Sequence, residues 1–287
     1  MNKVLLTIGV PAFNEEKYIF KTLSSIASQN FSNFKVLICD DFSTDNTLNI
    51  AEEFIKGDMR FEILRGIKKA TFVDNWRKPL DSCNSKYFAW IGAHDILDIN
   101  YFSEAIDILE NNRNAALVYP KSLAIDTNDA KGASMDSDID TQGLSYLKGI
   151  EKVLNNIGYC TAIHGIFVTE KLKKIPLKHI MGFDLLILMI TPLYGTIYET
   201  KNIAFFRREI RQETEMDRIS RWQMSGMFKK SRYGPFEILS KDLIVYYALH
   251  IKMRVTKRIP FLNQVSRIFW QRFKVSKLSI LKCFLRI

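Results

Sequence analysis

The stretch FKVLICDDFSTDNT, residues 34–47, changes character at its midpoint. Apart from Lys35 its first half is apolar, as in a strand buried on both faces, and it stops abruptly at two carboxylates, Asp40 and Asp41. Its second half opens with helix-capping residues, Ser43, Thr44 and Asp45, and the segment beyond puts Leu48, Ala51 and Ile55 on one helical face. A buried strand running straight into a capped helix is the building unit of a parallel α/β sheet.

The same alternation extends in both directions. KVLLTIGVPAF, FEILR, KYFAWIGA and AALVYP are further short strand-like runs. Helical spacing follows Asn14, a candidate N-cap, with Ile19, Leu23 and Ile26 on one face; it recurs over Thr71 to Leu80, and over Tyr101 to Asn111 with Phe102, Ile106 and Leu109. This order predicts right-handed crossovers and a mainly parallel sheet with helices on both faces, in which ligands sit beyond the carboxyl ends of the strands. The second strand ends in Asp40-Asp41 and the fourth in His94-Asp95, so both acidic ends face one crevice. After Pro120 the alternation stops. Residues 122–143 are polar and turn-rich and are expected to form a long exposed loop, followed by a helix (Leu144 to Ile157), a strand-like GYCTAIHGIFV and a helix around GFDLLILMI. From Arg207 to Tyr233 the chain is charged and then punctuated by Gly and Pro, as in a linker or flap.

Composition is that of an ordinary globular protein, 47% hydrophobic and 25% charged, with no low-complexity or collagen-like bias. The net charge of +10 is local: residues 243–287 hold ten Lys or Arg and no acid, and the rest of the chain carries 31 of each sign. Four scattered cysteines without a CxxC pair give neither a zinc site nor a disulfide framework and fit a reduced, cytoplasmic chain. The N-terminal apolar run is cut off by Pro11 and Asn14-Glu15-Glu16, as a first strand and not a leader. The run LLILMITPLYG from Leu185 is too short to cross a bilayer.

Two local readings stand side by side at each acidic end. In DDFSTDNT, Ser43, Thr44 or Asp45 explains a helix cap, whereas two adjacent carboxylates at a strand end suit a nucleobase or ribose hydroxyls. In WIGAHDIL, residues 90–97, His94 fits a hydrogen-bonded core residue and Asp95 a cap. A single crevice-facing Asp is equally enough to hold Mg²⁺ or Mn²⁺ when a diphosphate supplies the remaining oxygens.

Taken in order, PAFNEE (Pro11 to Glu16), VLICDDFSTDNT (Val36 to Thr47), DNWR around Asn75, SKYFAWIGAHD ending at Asp95, and MGFDLLIL (Met181 to Leu188) resemble the nucleotide-diphospho-sugar transferases of GT-A fold, specifically the family 2 glycosyltransferases, over about residues 1–205. The resemblance implies a nucleotide site at Pro11, Glu15, Asp41 and Asn75, with His94 where an Asp usually contacts ribose or metal. It implies a divalent cofactor, Mn²⁺ or Mg²⁺, on Asp95. The family's Asp-x-Asp-Asp is reduced here to Gly92-Ala93-His94-Asp95, which leaves the number of protein contacts to the ion open. Asp184, the family's catalytic base by position, is also placed as a helix N-cap would be. His164 falls near the acceptor in the family, though a buried, satisfied His fits the same place. Arg207 or Arg208 corresponds to a basic segment over the diphosphate, with a solvated charged face as the plainer alternative. Arg218 to Trp222 only superficially resembles the Gln-x-x-Arg-Trp motif of processive synthases.

The implied organisation is a GT-A domain at 1–205, split into a nucleotide-sugar half (1–121) and an acceptor half (122–205), a flap or linker at 206–242, and basic amphipathic helices at 243–287. In the last part Phe261, Leu262, Val265, Ile268, Phe269 and Phe273 project to one side and Arg267, Gln271 and Lys274 to the other, an arrangement suited to an anionic membrane surface or to packing on the body. No nucleic-acid motif accompanies the charge. The expectation is an inverting, metal-dependent transferase on the cytoplasmic face of the cell membrane, moving a sugar from a nucleotide-sugar donor to a glycan or lipid-linked acceptor in bacterial surface polysaccharide synthesis. The alternative is a non-catalytic nucleotide- or glycan-binding protein with a degenerate metal motif.

Overall fold

The computed structural model describes residues 3–66, 70–135, 137–158, 160–180, 182–209, 235–250 and 255–273. Most of the expected flap, including Arg218 to Trp222, and the end of the basic tail lie outside them.

Strands β1 (Leu6–Ala12), β2 (Phe34–Asp40), β3 (Phe61–Ile63) and β4 (Tyr87–Trp90) form a parallel block in the order β3-β2-β1-β4, joined by helices α1 (Ile19–Ala27), α2 (Thr47–Ile55) and α3 (Phe72–Asp81). The alternation of β4 shows why both faces are apolar: Tyr87 and Ala89 enter one core with α1 and with α4 (Tyr101–Asn111), whereas Phe88 and Trp90 enter the other with α3. Helix α3 lies so close to β1 that a Cβ on Gly9 would meet Pro79 Cγ at 2.5 Å. Thr71 caps α3, its hydroxyl accepting the Asp74 N–H at 3.2 Å. Asn14 does not cap α1, which begins beyond it at Ile19; with φ of 56°, it turns the β1 loop and accepts the Thr44 N–H at 2.8 Å.

Beyond β4 the sheet becomes mixed. Its order continues β4-β8-β6-β9-β5, with β5 (Ile96–Leu97), β6 (Ala115–Ile125), β8 (Ile166–Val168) and β9 (Thr196–Arg208). Between β4 and β6 lies β8, which runs antiparallel to both. The stretch GYCTAIHGIFV is therefore only partly strand: Cys160–His164 is a 3-10 turn.

The long exposed loop predicted at 122–143 is also corrected. The chain stays in β6 to Ile125, turns back through β7 (Lys131–Ser134), and then buries Met135, Ser137, Ile139 and Thr141 against the body. Its polar residues supply the turn: Asp126 Oδ1 accepts the N–H groups of Asn128 and Ala130.

Helices α5 (Tyr146–Asn156), α6 (Thr169–Leu172), α7 (Phe183–Ile190), α8 (Pro235–His250) and α9 (Val255–Phe273) are the further helices among the described residues. Phe261, Val265, Ile268 and Phe269 are buried in the α3 core, and Arg272 donates to the Leu154 and Ile157 carbonyls at the end of α5. The side of the tail that suited a membrane is thus turned inward, because an apolar helical stripe serves any apolar surface and the body offers one. Among the described residues no helix is long and apolar enough to cross a membrane.

Candidate active site

The loops after β1 and β2 are laced together. Asn14 N–H donates to Ser43 Oγ at 2.9 Å, Glu15 N–H to Thr47 Oγ1 at 2.7 Å, and Asn46 N–H to Glu16 Oε2 at 2.9 Å. Burial opposes ionisation of Asp45, but hydrogen bonds from Thr47 and from the Glu16 N–H outweigh it and hold the carboxyl below its ordinary value. The two adjacent carboxylates separate in role. Asp40 accepts from Ser43 and closes the turn. Asp41 is buried, donates its own N–H to the Ala12 carbonyl at 2.9 Å, and accepts the Ala70 N–H at 2.7 Å. Pro11 pairs in register with Cys39, whose carbonyl accepts Asn75 Nδ2 at 2.9 Å. Among the described residues, Asn75 Oδ1 is one of two buried side-chain atoms left without a hydrogen-bond partner; the other is Lys78 Nζ. Pro11, Asp41 and Asn75 therefore gather at the ends of β1 and β2.

A second group forms around the turn between β4 and β5. His94 Nδ1 lies 2.9 Å from Glu15 Oε1. Asp95 is 1% exposed, and its Oδ1 accepts the Arg208 N–H at 2.9 Å. His94 Nε2 stands 3.9 Å from Asp95 Oδ1, and His164 Nε2 stands 3.9 Å from Asp95 Oδ2. His164 is buried, stacks on Phe205 and faces the Trp90 carbonyl at 2.9 Å through Nδ1. A carbonyl only accepts, so Nδ1 carries the proton and the Nε2 lone pair points toward Asp95. Burial pulls both imidazoles toward the neutral form. At His164 it prevails and lowers the pKa, whereas at His94 the Asp95 and Glu15 carboxylates outweigh it and raise the pKa.

Asp95 is thus a buried member of the group, and the side chain of this turn that reaches the opening is His94, 27% exposed. His164 lies buried beneath the turn, between Phe205 and Asp95. The two arginines also part. Arg208 is engaged inside the protein, with Nε on the His94 carbonyl, Nη1 on the Asp126 carbonyl and Nη2 on Asp129. Arg207 is half-buried and close enough for its charge to act on both imidazoles.

Among the described residues no three or more His, Cys, Asp or Glu side chains converge as a ready-made metal site. At 3.9 Å, His94 Nε2 and Asp95 Oδ1 are set wider than adjacent donors on one ion, which at bonds of about 2.0–2.2 Å stand roughly 3.0–3.5 Å apart. What matches a divalent ion is the donor chemistry, one imidazole nitrogen and one carboxylate, with the further oxygens left to a diphosphate.

Asp184 sits in the first turn of α7 and is half-buried, accepting the Leu185 N–H at 2.9 Å. It is not the cap; Gly182, with φ of 77°, holds that position. Its neighbour Phe183 packs edge-on against Trp76 at 5.5 Å, and Trp76 reaches His164 at 6.1 Å. This aromatic row joins the helix of Asp184 to the group around Asp95. Trp76 carries that link without having been singled out from sequence, although it stands in the quoted DNWR segment. His179, likewise not singled out, pairs with Asp74 at 3.1 Å.

A parallel block with carboxylates at its strand ends, continued by a mixed set of strands, is the fold of the GT-A glycosyltransferases. The solved Staphylococcus aureus TarS fragment 1-349 in complex with UDP-GlcNAc superposes with a TM-score of 0.70 at 15% identity, covering 97% of this chain and 79% of that one. The sequence profile of Glycosyl transferase family 2 matches residues 7–174, more than half of the chain, and the protein belongs to that family. An uncharacterized glycosyltransferase of Haemophilus influenzae is 33% identical over 111 residues, 39% of this chain and 34% of the relative. The Escherichia coli UDP-Glc:alpha-D-GlcNAc-diphosphoundecaprenol beta-1,3-glucosyltransferase WfgD is 27% identical over 132 residues, 46% of this chain and 51% of the relative. The matches thus span about a third and about half of these relatives' length.

Proposed function

We propose that the protein moves a sugar from a nucleotide-diphospho-sugar to a hydroxyl of a glycan or lipid-linked acceptor, with inversion, in surface polysaccharide synthesis. The observation that carries this reading is that Asp41, Glu15 and the His94–Asp95 turn, the last two joined by the Glu15–His94 contact, follow the carboxyl ends of the neighbouring parallel strands β2, β1 and β4. Pro11, Asp41 and Asn75 hold the nucleoside, and the unpartnered Asn75 Oδ1 takes an N–H from the base. Glu15 orients His94 and carries charge that favours a cation at the diphosphate. His94 and Asp95 would hold a divalent ion, which would supply Lewis acidity to the leaving diphosphate. Arg207 pairs with phosphate oxygens, and Arg208, its donors engaged elsewhere, does not.

Asp184 takes the proton of the acceptor hydroxyl while that oxygen attacks the anomeric carbon and the bond to the diphosphate oxygen breaks. A single displacement of this kind inverts the centre. The names of the relatives, one acting on a diphosphoundecaprenol-linked sugar and one bound to UDP-GlcNAc, favour a UDP-sugar donor and a lipid-linked acceptor. The transferase domain is taken as 1–205, followed by a flap or linker and the basic helices. Such an acceptor calls for placement at the cytoplasmic face of the membrane, with the positive tail against anionic headgroups. Because its apolar stripe is internal, that contact rests on charge and on outward residues such as Trp270 and Ile259, 54% and 58% exposed.

The test is a transfer assay over UDP-sugars with undecaprenyl-diphosphate-linked acceptors, with and without Mn²⁺ or Mg²⁺. Asp184→Asn should lower kcat by about 10²–10⁴-fold at nearly unchanged UDP affinity. Nucleotide binding without turnover of any donor favours the non-catalytic alternative.

A further inference from the structure

Arg208 ends β9 with its side chain fully buried, yet it belongs to neither apolar core. Each of its groups reaches a different part of the crevice wall. Its N–H holds Asp95 Oδ1 at 2.9 Å and its Nε holds the His94 carbonyl at 2.9 Å. Its Nη1 holds the Asp126 carbonyl at 2.6 Å, and Nη2 pairs with Asp129, which also pairs with Lys21 of α1. The guanidinium lies over the Tyr18 ring at 4.6 Å, and the Tyr18 N–H donates to the Glu15 carbonyl at 2.9 Å. One cation therefore grips both sides of the Glu15–His94 contact, through the His94 carbonyl and through Tyr18.

We infer that Arg208 is a positioning residue: it sets the distance between the Glu15 loop and the His94–Asp95 turn, and through it the geometry offered to a nucleoside diphosphate. The inference rests on the functional reading only in naming that ligand. A buried cation without partners is costly, so the planar fork keeps its acceptors together as one unit. The hairpin turn from Asp126 to Asp129 is thereby tied to the His94–Asp95 turn through Arg208. Lysine retains the charge and loses the fork, which makes Arg208→Lys the informative change.

The experiment compares Arg208→Lys, Asp129→Asn and the wild type in two measurements: ¹⁵N shifts of the His94 ring without ligand, and UDP affinity by calorimetry. The expected result is an altered His94 spectrum with UDP affinity reduced roughly tenfold, on the scale of coupled contacting residues. Arg208→Lys should add nothing further in a His94→Ala background. Should Arg208→Lys not fold, Asp129→Asn, whose side chain is 34% exposed, gives the same reading at the other end of the grip. A wild-type His94 spectrum and wild-type UDP affinity in folded variants, or effects additive with His94→Ala, would overturn the inference. Absence of UDP binding by the wild type counts against the functional reading, and the His94 spectrum then decides the positioning role alone.

Discussion

Gly92 and Asp95 approach so closely that a Cβ on the glycine would stand 2.4 Å from Asp95 Oδ2. The requirement is for space beside the carboxylate. Gly92→Ala must displace a buried charged group and is expected to cost about 1–3 kcal/mol of stability, the range for overpacking a core. Denaturant melts check this; an unshifted midpoint would mean that the carboxylate has room to yield.

Capping of α3 links stability to nucleotide binding. Thr71 Oγ1 accepts the Asp74 N–H at 3.2 Å and donates to Asp74 Oδ2 at 2.7 Å, one turn before Asn75. Thr71→Ala should cost about 0.5–2 kcal/mol and weaken UDP binding, because Asn75 depends on a fixed first turn. Equal UDP affinity in the variant would separate the cap from the site.

Acid should loosen the turn between β6 and β7. Lys21 first, and Arg208 after it, hold the Asp129 carboxyl below its ordinary value of 3.8. A depressed carboxyl contributes stability that is present above that value and disappears as pH falls through the folded one. The stability difference between wild type and Asp129→Asn should therefore be largest near neutrality and shrink below about pH 4. A difference constant from pH 7 to pH 3 would contradict the assignment.

The last helix offers a choice between core and membrane that one residue decides. Phe269 is fully buried, so Phe269→Ala should destabilise by about 3–5 kcal/mol and leave vesicle binding at matched stability unchanged. Loss of binding to anionic vesicles with the melting point preserved would restore the membrane face.

Much of the scaffold around the acidic strand ends could be read along the chain. The strand runs ending at Asp40 and near Asp95, and helices α3 and α4, follow from periods of two and 3.6 residues that neighbouring side chains impose. Asp41 and Asn75 are placed by the same pattern, one just past β2 and the other in the first turn of α3. The loop expected at 122–143 was misjudged because turn residues at Asp126 to Asp129 look the same in a hairpin as in a free loop.

The sequence by itself determined the alternating α/β pattern, the acidic strand ends and the separate basic tail, all of which depend on short-range periodicity and composition. Only the tertiary structure decided that β8 enters between β4 and β6, that Glu15 meets His94 across 79 residues, and that Arg208 meets Asp95 across 113. The physical reason is that an apolar stripe or a charged side chain specifies the kind of partner it needs and not which one. That choice falls to packing, which turned the tail's stripe inward and closed the fork of Arg208 on the wall of the crevice.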